Sequence, residues 1–143
     1  MKTRKSSGCV VWKQTETGEI VFLLVTRSNK KTWVLPKGGV EPDLTSRDSA
    51  LKEVYEEAGA LGHIGAKLGK YRYVKDGMMQ KVTMYLMKFD QYALDWPEEE
   101  LRLRDWFTYD QAIKALDQYL AVYIVDAFEH LMSTLMDEHE DNM

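Results

Sequence analysis

Between residues 36 and 59 this chain has few ways to fold. Pro36 ends a short apolar run, Gly38-Gly39 follow almost at once, and after a polar stretch comes Lys52-Glu53-Val54-Tyr55-Glu56-Glu57-Ala58-Gly59. Thr45, with Asp48 three residues later, makes a capping-box-like helix start, and Gly59 is a natural stop. At about 100° per residue, Leu51, Val54, Tyr55 and Ala58 fall on one face, and Glu53, Glu56 and Glu57 fall together on nearly the opposite face. Carboxylates at i, i+3 and i+4 repel one another, and in the last turns of a helix they also meet the negative end of its dipole. The pattern therefore costs stability twice. Two readings of it stay open on the residues alone. One is an ordinary solvated face. The other is a set of hard oxygen ligands for Mg²⁺ or Mn²⁺, whose binding reverses the cost. Gly38-Gly39 lets a backbone approach a ligand closely, and Lys37 beside it offers a point charge for phosphate.

The remainder of the chain bounds what such a site can serve. Nineteen Lys and Arg against twenty-three Asp and Glu leave a net charge of −4, which argues against duplex binding by bulk positive charge; no stable nucleic-acid complex is expected. The sign is uneven: residues 1–37 carry eight basic and two acidic side chains, enough for one basic mouth in an acidic molecule. Cys9 is the only cysteine, so an intrachain disulfide and a cysteine-based zinc site are excluded, and a reducing cytoplasm fits. The basic start lacks the apolar run of a secretion signal, and the longest apolar run, residues 20–25, is far short of a membrane span.

Strand and helix signals alternate without repeats or linkers, so residues 1–143 read as one α+β domain. Residues 9–12 and 20–26 form a hairpin across residues 14–18, residues 33–35 a third strand, and residues 37–43 a polar loop. Residues 64–75 and 78–89 pair across Asp76-Gly77, a hairpin turn signature. Residues 95–104, with Trp96-Pro97-Glu98-Glu99-Glu100, are a loop or a short turn of helix, and Trp106-Phe107 a brief strand. Thr108 and Gln111 open a second helix. Leu120, Ile124, Phe128, Leu131 and Leu135 define a third, and the acidic tail, residues 137–143, is expected to fray. Tyr71, Tyr73 and Trp33 read as core packing before nucleobase stacking. His63, His130 and His139 lie too far apart for a zinc helix motif.

Residues 38–60 resemble the signature box of the Nudix hydrolase family, G-x5-E-x7-R-E-U-x-E-E-x-G-U with U a bulky aliphatic. Gly38, Glu53, Val54, Glu56, Glu57 and Gly59 match it, while Leu44, Lys52 and Ala60 stand where the pattern has Glu, Arg and an aliphatic. The resemblance implies the Nudix fold, an α/β/α sandwich with a mixed β-sheet, and cleavage of a diphosphate linked to another moiety. It implies that Glu53, Glu56 and Glu57 hold Mg²⁺ (Mn²⁺ in its place) and that an activated water attacks phosphorus. A general base would come from a distant loop, for which Glu98, Glu99 and Glu100 are the candidates. Lys52 offers a single mobile ammonium where the family's Arg offers a fork. Residues 33–39, Trp96-Pro97 and Arg104-Asp105-Trp106-Phe107 are similar to the diphosphoinositol-polyphosphate and diadenosine-polyphosphate branch of the family. A highly phosphorylated small molecule needs several cations, and Arg27, Lys30, Lys31 and Lys37 flank the box, so Arg27, Lys37, Gly38 and Gly39 are the expected substrate contacts. Hydrolysis of another nucleoside-diphosphate derivative such as ADP-ribose, or non-catalytic binding of a phosphorylated ligand, are the competing readings.

Overall fold

The structure, a computed structural model, describes residues 1–142. Its strands are β1 (Thr3–Gln14), β2 (Ile20–Thr26), β3 (Trp33–Val34), β4 (Lys37–Gly39), β5 (Ala60–Lys75), β6 (Met78–Tyr92) and β7 (Arg104–Thr108). Its helices are α1 (Ser46–Ala58), α2 (Tyr109–Ala115) and α3 (Gln118–Asp141). All seven strands join one sheet, ordered β3-β2-β1-β6-β5, with β4 on β1 and β7 on β2. Every residue of β2 is buried, as an uninterrupted apolar run demands when both faces of a strand are covered.

The covers are helices. Tyr85 of β6 faces α1, where its hydroxyl lies 3.1 Å from that of Ser46. Val82 of the same strand faces the other way and pairs with Tyr71 of β5, whose ring meets Tyr119 and Tyr123 of α3. The result is the expected α/β/α sandwich, and its sheet is mixed because β1 and β6 run parallel from Thr3↔Met79 to Trp12↔Lys88 while the other pairings are antiparallel.

Several local expectations hold to the residue. Asp76 and Gly77 adopt φ of 52° and 72°, the paired left-handed conformation of a tight hairpin turn. Thr108 and Gln111 form a complete capping box.

Three expectations are corrected. β1 begins at Thr3 instead of Cys9, because its polar first half is held by long-range pairing with β6 and β4 and by no local signal. The loop expected at residues 37–43 begins as a strand, with Lys37–Gly39 antiparallel to Ser6–Gly8. The tail expected to fray continues α3 through Asp141; Met143 lies outside the described residues.

The β1–β4 contact brings Pro36 and Lys37 against the middle of the sheet, and Gly8 makes room for them. Cys9 N–H donates to the Pro36 carbonyl at 3.2 Å, and a Cβ on Gly8 would overlap that oxygen and the Lys37 backbone. Gly8→Ala should therefore cost about 2 kcal/mol or more, the range of overpacking against atoms that cannot yield. Gly69→Ala, with nothing within 4 Å, should stay within about 0.5 kcal/mol of the parent. Urea midpoints of the two variants check this pair; equal losses would remove the steric role of Gly8.

Candidate active site

α1 carries the glutamates and β4 faces them. Thr45 caps the helix by accepting the Asp48 N–H at 3.0 Å. Gly59 ends it at φ 62°, its N–H returning to the Tyr55 carbonyl. The two faces differ from the simple wheel: Tyr55 is 36% exposed, whereas Glu57 is only 6% exposed and is buried alongside Val54 and Ala58. Glu57 thus belongs to the inward side of α1, and the purely solvated reading of the three glutamates fails at this residue.

Burial dominates its chemistry. The Glu57 carboxyl is pushed up to about 8, first by loss of solvent and then by Glu53 and Glu98, against the opposing pull of Arg102 and a backbone hydrogen bond from Lys37. The Lys37 ammonium is pushed down by its own burial, with Glu57 opposing. Glu53 is also raised, by burial and by its neighbours Glu56 and Glu98. Its carboxylate lies over Gly38, occupying the space a Cβ there would fill.

Separate cations neutralise the other carboxylates. Lys52 bonds Glu41 and lies 3.6 Å from Glu56, so its one ammonium is shared between loop and helix. Arg102 lies 3.7 Å from Glu57 and 3.2 Å from Glu98 and donates to the Thr26 carbonyl at 2.9 Å. Sequence reasoning missed Arg102, which lies far along the chain from the box and carries no motif of its own.

The acidic loop is also resolved into roles. Glu98 is half-buried, paired with Arg102, and its N–H donates to the Glu56 carbonyl at 3.0 Å. Glu99 and Glu100 are exposed and form no ion pair among the described residues. Only Glu98 of the three candidates is brought to α1.

Beside Glu57 opens a cavity of about 510 Å³ whose walls include Arg27, Lys37, Tyr71, Tyr73, Lys75 and Tyr119. It adjoins a smaller one of about 390 Å³ that shares Lys37, Tyr73 and Lys75 and adds Arg4 and Gly38. Arg27 is exposed and reaches the Tyr119 hydroxyl at 3.4 Å. Tyr71 and Tyr73, expected in the core, pack against it and also line this cavity. Trp33 instead packs edge-on against Phe107. Lys30 and Lys31 stay on an exposed turn outside both cavities. A larger cavity, about 680 Å³, lies between α3 and the β1–β2 turn, but none of the glutamates of α1 lines it.

A hard cation suits this donor set. Glu53, Glu56 and Glu57 supply carboxylate oxygens, and Gly38, lacking a Cβ, gives the Glu53 carboxylate its place. Among the described residues no three such groups converge as ligands; Glu56 lies beside Lys52 and Glu57 beside Arg102.

A family model for the NUDIX domain matches residues 2–127. Nudix hydrolase 4 of Arabidopsis thaliana is 31% identical over 97% of this chain and 72% of its own length. Diphosphoinositol polyphosphate phosphohydrolase 3-beta of Homo sapiens is 29% identical over 84% of this chain and 73% of its own. Among solved structures, a C. elegans Ap4A hydrolase in a binary complex has a TM-score of 0.75 at 23% identity, covering 92% of this chain and 99% of that one, a likeness of fold.

Glu57 binds its proton more tightly folded than unfolded. Its contribution is therefore full below about pH 4.5 and is lost as pH rises toward about 8. With divalent cations chelated, the melting temperature should fall across that window. Glu57→Gln should remove most of the fall and, at pH 8, melt higher than the parent by about 3 °C or more, roughly what 1 kcal/mol is worth at this size. Added Mg²⁺ should stabilise the variant less than the parent. Parallel melting curves for the two proteins would reject the buried-acid account.

Proposed function

The chain belongs to the Nudix family and is a hydrolase of phosphoanhydride bonds, and from that premise we propose that it cleaves a diphosphate linkage in diadenosine polyphosphates or, as the second substrate class, diphosphoinositol polyphosphates. The observation that carries the order of preference is the tyrosine wall of the cavity beside Glu57. Tyr119 lies 6.1 Å from Tyr71 at 27° and 5.9 Å from Tyr73, ring centroid to ring centroid. Arg27, Lys37 and Lys75 share the same walls. Cations alone serve any polyphosphate, whereas an aromatic surface among them suits a nucleobase attached to one.

The residues divide the work by position. Lys37, desolvated beside Glu57, regains a counter-charge when an anionic phosphate enters. Bound to Glu53, Glu56 and Glu57, Mg²⁺ (or Mn²⁺) would neutralise phosphate oxygens and polarise the phosphorus toward attack. Glu98 borders the cluster without being part of α1, and its carboxylate takes the proton of the attacking water. Lys52 and Arg102 offset part of the repulsion among the carboxylates. We take residues 1–143 as one catalytic domain, since all seven strands share a sheet. We place it in the cytoplasm, where a single, fully buried thiol, Cys9, is at home. Among the described residues no helix is long and apolar enough to cross a membrane.

A panel of diadenosine polyphosphates and diphosphoinositol polyphosphates, assayed with Mg²⁺ and with excess chelator, tests the reading; turnover that survives chelation removes the metal. Tyr119→Ala should raise KM for the dinucleotides roughly 10-fold, the worth of one base–aromatic stack, and leave KM for the inositol compounds within about twofold. Lys37→Ala should raise both, more so as phosphates are added. Equal effects of Tyr119→Ala on the two classes would overturn the preference for a nucleobase.

A further inference from the structure

The segment from residue 93 to 103 carries Glu98 and Arg102, yet none of its residues is buried and Leu94 is 94% exposed. Hydrophobic burial does not hold it in place. Its anchors are polar, and at one end they converge on α1. The last turn of α1 has no basic residue, so its terminal carbonyls need donors from elsewhere. This segment and the residue that follows it supply them: Glu98 N–H to Glu56 at 3.0 Å, Ala93 N–H to Gly59 at 2.8 Å, and Arg104 Nη1 to Ala58 at 2.7 Å.

Arg104 makes more than a hydrogen bond. Its guanidinium carbon lies 3.7 Å from the ring centroid of Tyr92 and 3.9 Å from that of Trp96, one ring from each side of the segment's start, and it forms no ion pair among the described residues. Trp96 in turn lies on Gly59, where a Cβ would come within 2.5 Å of the indole. A guanidinium can stack on aromatic rings and donate from its edge at once, whereas an ammonium has no plane to stack. At the far end the Thr26 N–H donates to the Leu103 carbonyl, the Leu103 N–H donates to the Thr26 hydroxyl, and Arg102 donates to the Thr26 carbonyl.

We propose that Arg104 is a positioning residue for the hydrolytic reaction: held by Tyr92 and Trp96 against the end of α1, it fixes the segment that places Glu98 beside the glutamate cluster. The inference rests on the reading of Glu98 as the group that accepts the water's proton, and its test separates the two. Amide hydrogen exchange on the metal-free full chain reads the anchor without any reference to activity. In Arg104→Ala the amides of Glu98 and Ala93 should exchange roughly 10-fold faster or more while those of β2 keep their protection, the mark of local opening. In steady-state kinetics Arg104→Ala should lower kcat by roughly 10²-fold, the share a general base supplies, with KM within about twofold.

Combined with Glu98→Gln, the two losses should not multiply, because both remove the same placed carboxylate. Arg104→Lys keeps the charge and should recover only part of the rate; it also serves in place of Arg104→Ala if that variant does not fold. Unchanged exchange at Glu98 and Ala93, or multiplicative losses in the double variant, would overturn the proposal. Full kcat in Glu98→Gln would instead overturn the role given to Glu98 and leave the exchange result to judge Arg104.

Discussion

Four carboxylates, Glu53, Glu56, Glu57 and Glu98, crowd the end of α1 where the helix dipole is already negative. The rest of this end of the molecule is arranged around that repulsion. Lys52 reaches along the helix to Glu56, Arg102 comes from the 93–103 segment to Glu57 and Glu98, and Arg104 meets the Ala58 carbonyl. Each cation arrives from a different element, so the charge balance of α1 also joins helix, segment and sheet. Glu57 is the member that burial affects most: loss of solvent outweighs the pull of Arg102, and its carboxyl is pushed up to about 8.

How much of this can be read from the residues depends on how far apart the partners lie. Features set within a few residues were legible: the Asp76-Gly77 turn, the Thr45 and Thr108 caps, the Gly59 stop and the box itself. Features made by distant partners were not. The first half of β1 is polar and has no strand signal, and it is a strand because β6 and β4 hold it. Glu57 sits on the border of the helical wheel, where only the packing of α1 against β4 decides whether it faces water. Arg102 and Tyr119 carry no motif and enter the site through the sheet's topology. The three adjacent glutamates at residues 98–100 show the same limit, since their spacing is uniform and it takes the backbone bond to Glu56 and the ion pair with Arg102 to single out Glu98.

The position of Lys52 illustrates how a departure from a family pattern is absorbed. A guanidinium there would grip one carboxylate with two parallel bonds. The ammonium instead bridges Glu41 and Glu56, tying the loop after β4 to the helix. On the other side of the cluster Arg102 likewise divides its guanidinium between two carboxylates, Nε to Glu98 at 3.2 Å and Nη2 toward Glu57 at 3.7 Å.

The parallel pairing of β1 with β6 has a consequence for how the molecule comes into being. Residues Val11 to Gln14 can zip onto β2 as soon as the first hairpin forms. The preceding stretch, from Thr3 to Gly8, finds its partners only in β4 and β6. During synthesis Ser6–Gly8 can meet β4 early, but the stretch from Thr3 to Lys5 must wait until Met78–Tyr92 leaves the ribosome, and long-range parallel closure is slow when it comes. The part of the cavity's basic lip that carries Arg4 thus lies far along the chain from the strand that holds it, and its cationic side chains guard that edge against pairing with other chains until the two meet.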